Sequence, residues 1–135
     1  MTYKINKRVL AVLLTVCSVV AMPVGIASAR PTDGLGSASC AGRWTLTTKT
    51  QNTTRLTVYM CTNGYAFAHV SSTRKGGIGA YIQRSNPYGF QSTWNSSSYA
   101  ATSPMLYLYK GSCFAAYGNS IDASGSILKH NFCVY

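Results

Sequence analysis

The chain has 135 residues, with twelve Lys/Arg against two Asp/Glu, and carries a formal net charge of +10. Asp33 and Asp122 are its only carboxylates and it has no glutamate, which leaves little for a carboxylate metal site or a paired-carboxylate active site. Its length allows one domain, and beyond the N-terminal region no run is apolar for the roughly 20 residues that a membrane-spanning helix requires.

Residues 1–29 read as a cleaved export signal. Lys4, Lys7 and Arg8 form a positive start, residues 9–20 are mostly apolar, and Ala27-Ser28-Ala29 is the small-x-small pattern before a cleavage site. Cleavage before Arg30 leaves 106 residues, with nine Lys/Arg against two Asp, a net of +7. It also removes Cys17 and leaves Cys40, Cys61, Cys113 and Cys133. An even count in an exported chain predicts two disulfides, and pairing in sequence order closes two loops of similar size. A zinc site would call for close CxxC pairs, which are absent.

Residues 30–39 (RPTDGLGSAS) are rich in Gly, Ser and Pro and predict a flexible lead-in, with a single β domain over 40–135. Trp44 and Leu46 alternate with threonines, as do Leu56 and Val58 with Thr57 and Tyr59. The polar Gln51-Asn52-Thr53 between them predicts a hairpin. Asn63-Gly64 is a strong turn signal. In the next strand Tyr65, Phe67 and His69 share one face, and Ala66, Ala68 and Val70 the other. Arg74-Lys75-Gly76-Gly77 reads as a turn before a strand over residues 78–84, and Asn86-Pro87-Tyr88-Gly89 as another. Residues 90–101 read as an exposed strand plus loop. Met105, Tyr107 and Tyr109 then alternate with Leu106 and Leu108 up to a turn at Lys110-Gly111-Ser112. No segment shows helical periodicity, so the expected fold is all-β: a small disulfide-stapled antiparallel sandwich or barrel of about seven to eight strands.

The chemistry on offer is binding rather than catalysis. A small basic secreted nuclease or toxin would need His69 and His130 on either side of a phosphate, with Lys110 or Lys129 beside it. No local Ser/His/Asp motif is present, Gly76-Gly77 lacks the lysine and serine of a phosphate loop, and no cofactor or metal is implied. The positive charge favours polyanions such as anionic cell-wall or spore-surface polymer, with no specific nucleic acid expected. Nine tyrosines and two tryptophans after residue 29 offer flat amphipathic rings for stacking. The candidate surface-binding residues are Arg74, Lys75, Arg84, Tyr88, Phe90 and Trp94.

The segments LTVYMC, YAATSPMLYLYKGSCFAAYGNSI and the final HNFC resemble the spore-associated protein A family of small exported actinobacterial proteins. Tyr99, Pro104, Gly111, Cys113, Tyr117, Gly118, Ile121 and Cys133 match its pattern. Tyr117 stands where a tryptophan is usual, and Ser103 where glycine is common. CTNGYAFAHV and SPMLY are also similar to an actinobacterial exported domain of unknown function. The resemblance implies a location outside the cell or on the spore or hyphal surface and a β fold stapled by disulfides; the expected function is that of a secreted, non-enzymatic surface protein interacting through its basic and aromatic surface. Pro104-Met105-Leu106-Tyr107 is similar to the reactive loop of secreted subtilisin inhibitors, although no cysteine precedes Pro104 and the cysteine spacing differs.

Overall fold

The computed structural model describes residues 31–135; the expected signal segment over 1–29 lies outside them. Seven strands follow in chain order: β1 Trp44–Gln51, β2 Thr54–Met60, β3 Tyr65–Ser85, β4 Tyr88–Thr102, β5 Leu106–Tyr107, β6 Cys113–Asn119 and β7 Lys129–Cys133. All pair antiparallel in one sheet of order β1-β2-β3-β6-β7, with β4 and β5 also on β3. The all-β, disulfide-stapled class is as the alternation predicts, realised as one curled sheet.

The long β3 organises the fold because its two halves have different partners. Its first half lies between β2 on one edge and β5 with the end of β4 on the other: Ala66 opposes both Met60 and Leu106. Its second half lies between β4 and β6, so that Gly79 opposes both Trp94 and Asn119. The turn expected at Arg74-Lys75-Gly76-Gly77 is not formed; the chain runs through it in extended conformation. The pairing with β4 instead shifts register between Ser71 and Gly76 and again between Gly76 and Ile78. Such bulges bend a strand without reversing it, and here they allow one strand to change partners. The segment expected as strand plus loop over 90–101 is likewise one continuous strand paired to β3.

The true reversals are where turn chemistry demands them. Asn52, at φ 53°, closes the β1–β2 hairpin, and Gly64, at φ 90°, follows Asn63 before β3. The Asn86-Pro87 peptide is cis at the β3–β4 reversal.

Even-numbered residues of β3 face the core on either side of the irregular stretch at residues 72–77. Ala66, Ala68, Val70, Ile78, Ala80 and Ile82 are buried with Leu56, Val58, Leu106, Phe114, Ala116 and Leu128. Full burial of each large aliphatic side chain is worth about 1.5–3 kcal/mol. The odd-numbered residues form the outer face, and its two ends differ.

At the β2 end the outer face is covered by Ser37, Cys40 and Arg43 of the segment before β1, whose start was expected to be a flexible lead-in. Met105 N–H donates to Leu35 O at 2.8 Å, and Gly34 N–H to Met105 O at 2.7 Å. Thr62 N–H donates to Ala41 O, and the Asn63 side chain to Ser39 O. Cys40 is bonded to Cys61, and this bridge packs with Phe67, Met105, Tyr59 and Tyr65 as a second cluster. Because Met105 is tied to this segment, the strand expected through Tyr109 shrinks to two residues. At the other end Cys113 and Cys133 stand directly opposite one another on β6 and β7 and are bonded. Both disulfides follow sequence order, as expected.

Candidate functional site

The uncovered end of the outer face is an aromatic terrace built across β4, β3, β6 and β7. Pairing sets its rows: Trp94, Gly79 and Asn119 form the first, and Ser92, Tyr81, Tyr117 and Lys129 the second. Phe90, Gln83, Ala115 and Asn131 form the third, and Tyr88 follows at the rim beside Ser85. Tyr88 and Trp94 are 72% and 57% exposed, and Phe90 is exposed as well.

Local packing lays these rings down. The Tyr81 ring lies nearly parallel to Tyr117, at 5.0 Å and 12°, and 6.4 Å from Phe90. Glycine makes room beneath them: a Cβ on Gly77 would stand 2.7 Å from the Trp94 indole, and one on Gly79 would collide with the Tyr81 phenol. Tyr81 and Tyr117 turn their faces on each other, and Trp94, Phe90 and Tyr88 are the exposed rings of the terrace. Burial raises the Tyr117 pKa, with Tyr81 and Tyr88 adding to it, so the phenol stays neutral at physiological pH. The polar groups between the rings are the carboxamides of Gln83, Asn119 and Asn131, with Lys129 as a cation.

Two grooves border the terrace on one side. One of about 380 Å³ runs past Tyr88, Gln83, Asn131 and Lys129; another of about 370 Å³ lies against Tyr117, Asn119 and Ser126. Beyond Trp94 a third, of about 620 Å³, is lined by Gln51, Asn119, Ile121, Asp122 and Ile127. Its wall holds two buried acceptors, Gln51 Oε1 and Asn119 Oδ1, with no hydrogen-bond partner among the described residues. An unpaired buried acceptor costs about 1–3 kcal/mol.

Asp122 anchors the floor of this third groove. Its carboxylate accepts from Thr53, from Thr54 at 2.7 Å and from Ser120 at 2.9 Å, and the Asn52 side chain donates to its carbonyl. Hydrogen bonds from Thr53 and Thr54, with a further one from Ser120, hold its pKa down to about 2.

The sequence-predicted residues divide. Tyr88, Phe90 and Trp94 share the terrace. Arg74 and Lys75 are exposed in the middle of β3, and Arg74 reaches Asp122 at 4.0 Å. Arg84 is not a surface residue: it is 3% exposed and faces inward next to Ile82. Its guanidinium forks onto Asp33 at 2.8 and 2.7 Å and donates to Tyr107 O and Pro87 O. Its hydrogen bonds to Asp33 raise its pKa further. A buried cation needs such a partner, and one of the chain's two carboxylates supplies it. The inward alternation of Ile78, Ala80 and Ile82 carried the signal for this placement.

The two histidines stand on different strands among different neighbours. His69 lines a depression with Ser37, Arg43, Tyr59, Phe67 and Thr102, and its Nδ1 is 2.7 Å from Thr102 Oγ1. Burial lowers its pKa, and Arg43 lowers it further. His130 stacks on Phe132 and is lowered by burial and then by Lys49. Met105, the centre of the inhibitor-like segment, is fully buried and has both backbone groups bonded, so it is not displayed on a loop.

Sequence reasoning missed Tyr81, Tyr117, Asn119 and Gln51. The alternation of Tyr81 with Ile78, Ala80 and Ile82 marked it as outward-facing, but nothing local joins it to β4 and β6. Among the described residues, no cluster of three His, Cys, Asp or Glu is placed to hold a metal ion. No family model, curated protein or solved structure matches this chain.

Proposed function

We propose that this is an exported binding protein of the cell or spore surface, which holds surface polymer on the aromatic terrace with its positive charge as a long-range attraction. The supporting observation is that five rings, Trp94, Phe90, Tyr88, Tyr81 and Tyr117, gather on one uncovered sheet face from three strands. Monomeric proteins rarely leave a large apolar patch open without a partner for it. Two disulfides fit an extracellular protein, and no helix among the described residues is long and apolar enough to cross a membrane. The similarity to spore-associated proteins points to the same location.

Retention on purified cell walls, measured across salt, tests the reading. Contacts made by stacking should persist at 1 M salt, where the Debye length has fallen to about 3 Å, while purely ionic retention should vanish. Trp94→Ala should release the protein at every salt concentration. Arg74→Glu with Lys75→Glu should reduce retention at low salt only. A protein that walls do not retain at any salt concentration has a different role.

A further inference from the structure

Resting on that reading of the terrace, we propose that the groove beyond Trp94 binds an N-acetylated amino sugar ring of a neutral glycan strand. Four observations define the ligand. First, Gln51 and Asn119 line the groove and each carries a buried carboxamide oxygen without a partner, which a hydrogen-bond donor on a ligand would satisfy once the amide turns toward it. Terminal carboxamide torsions are soft, so these amides can reorient toward a guest.

Second, the ligand is uncharged. The groove's carboxylate, Asp122, already accepts from Thr53, Thr54 and Ser120 and lies 4.0 Å from Arg74. It leaves little for an ammonium group, and the unpartnered atoms of the wall are acceptors, which a phosphate does not satisfy. Third, the Trp94 indole lies against Gly77 and presents a flat apolar surface, which suits the C–H face of a pyranose. Fourth, Ile121 and Ile127, 50% and 63% exposed, border the same groove. They provide an apolar seat for a methyl group.

A neutral ring with O–H and N–H donors, an apolar face and a methyl group is a 2-acetamido sugar. A plain hexose supplies the hydroxyls and the face but leaves the isoleucines in water. The rest of the strand runs from Trp94 across the terrace, where the exposed Phe90 and Tyr88 offer further apolar surface beside the carboxamides of Asn119, Gln83 and Asn131.

Titration calorimetry of the disulfide-bonded protein with chitohexaose, and with cellohexaose as the analogue lacking acetamides, tests the inference. Chitohexaose should bind, with cellohexaose at least about tenfold weaker. Trp94→Ala and Asn119→Leu should each weaken chitohexaose by about tenfold or more. Asn119→Leu should not lower the melting temperature, because its oxygen has no partner in the free protein. Gln51→Met, of similar shape without the amide, is the second variant if Asn119→Leu does not fold. Equal affinity for the two oligosaccharides, or binding indifferent to both amide variants, overturns the proposal. If chitohexaose does not bind but walls still retain the protein through Trp94, the ligand class is wrong and the terrace reading survives. If neither binds, both are wrong.

Discussion

The two ends of the outer sheet face are made from the same kind of residue and meet opposite fates. At the β2 end Tyr59, Phe67 and His69 pack against Ser37, Cys40 and Arg43 of the segment before β1, which is fixed by backbone bonds to Met105, by the Cys40–Cys61 bridge and, on the core side, by the Asp33–Arg84 pair. At the β6 end Trp94, Tyr81, Phe90 and Tyr117 have no such cover. Aromatic content alone therefore does not mark a binding face. The mark is aromatic surface that the chain has the means to cover and leaves open, seated on glycines and edged with carboxamides.

The largest test of this contrast is to loosen the covered end. Asp33→Ala leaves the 3%-exposed Arg84 without its counter-charge. Removing one partner of a buried pair costs about 3–5 kcal/mol, to be read from urea denaturation. Asp33→Ala combined with Arg84→Met should recover much of that loss, because no buried charge then remains unpaired. A cost under about 1 kcal/mol for the single variant would place the pair among ordinary surface bridges.

Next in size, Cys40→Ala with Cys61→Ala should lose about 2–4 kcal/mol of stability while retention through the terrace persists. Simultaneous loss of retention under native conditions would show that the two ends are coupled and the contrast is false.

Acid should act on the Asp122 cluster. A carboxylate held at about 2, against an ordinary 3.8, favours the folded state most above pH 4 and loses that effect as pH falls toward 2. Asp122→Asn should flatten this limb of the stability–pH curve. His69 and His130 act earlier in the descent: both are lowered from 6.5, so their protonation favours unfolding as pH drops below that value.

The smallest effect on stability is expected at the terrace itself. Trp94→Ala should change stability by less than about 1 kcal/mol, since the ring is 57% exposed, yet abolish retention. Gly77→Ala, by lifting the indole from its seat, should weaken retention with the tryptophan still present, whereas unchanged retention would separate ring placement from binding.

Much of the fold was legible because its signals are local. Alternation marked the inward set of β3, Asn52 and Asn63-Gly64 marked reversals, and cysteine order gave the pairing. The glycines at 76 and 77 misled for a physical reason. Glycine serves turns through φ freedom and packing through its missing Cβ, and here the second use applies: side chains of Ile121 and Trp94 crowd Gly76 and Gly77. The candidate site was half legible. Tyr88, Phe90 and Trp94 come from one strand, whose period of two groups them, but Tyr81, Tyr117, Asn119 and Gln51 join them only through cross-strand register.

The sequence by itself determined an antiparallel all-β chain with two bridges, because strand period, turn residues and cysteine spacing act over a few neighbours. Tertiary structure decided which alternating face would be covered and where each carboxylate would go. Asp33 lies 51 positions from Arg84, and Asp122 lies 68 positions from Thr54. Pairings at that separation arise when the sheet curls and sets one register, and no local propensity encodes them. The same curl brings Trp94, Asn119 and Gln51 to one groove, so the site exists only in the folded chain.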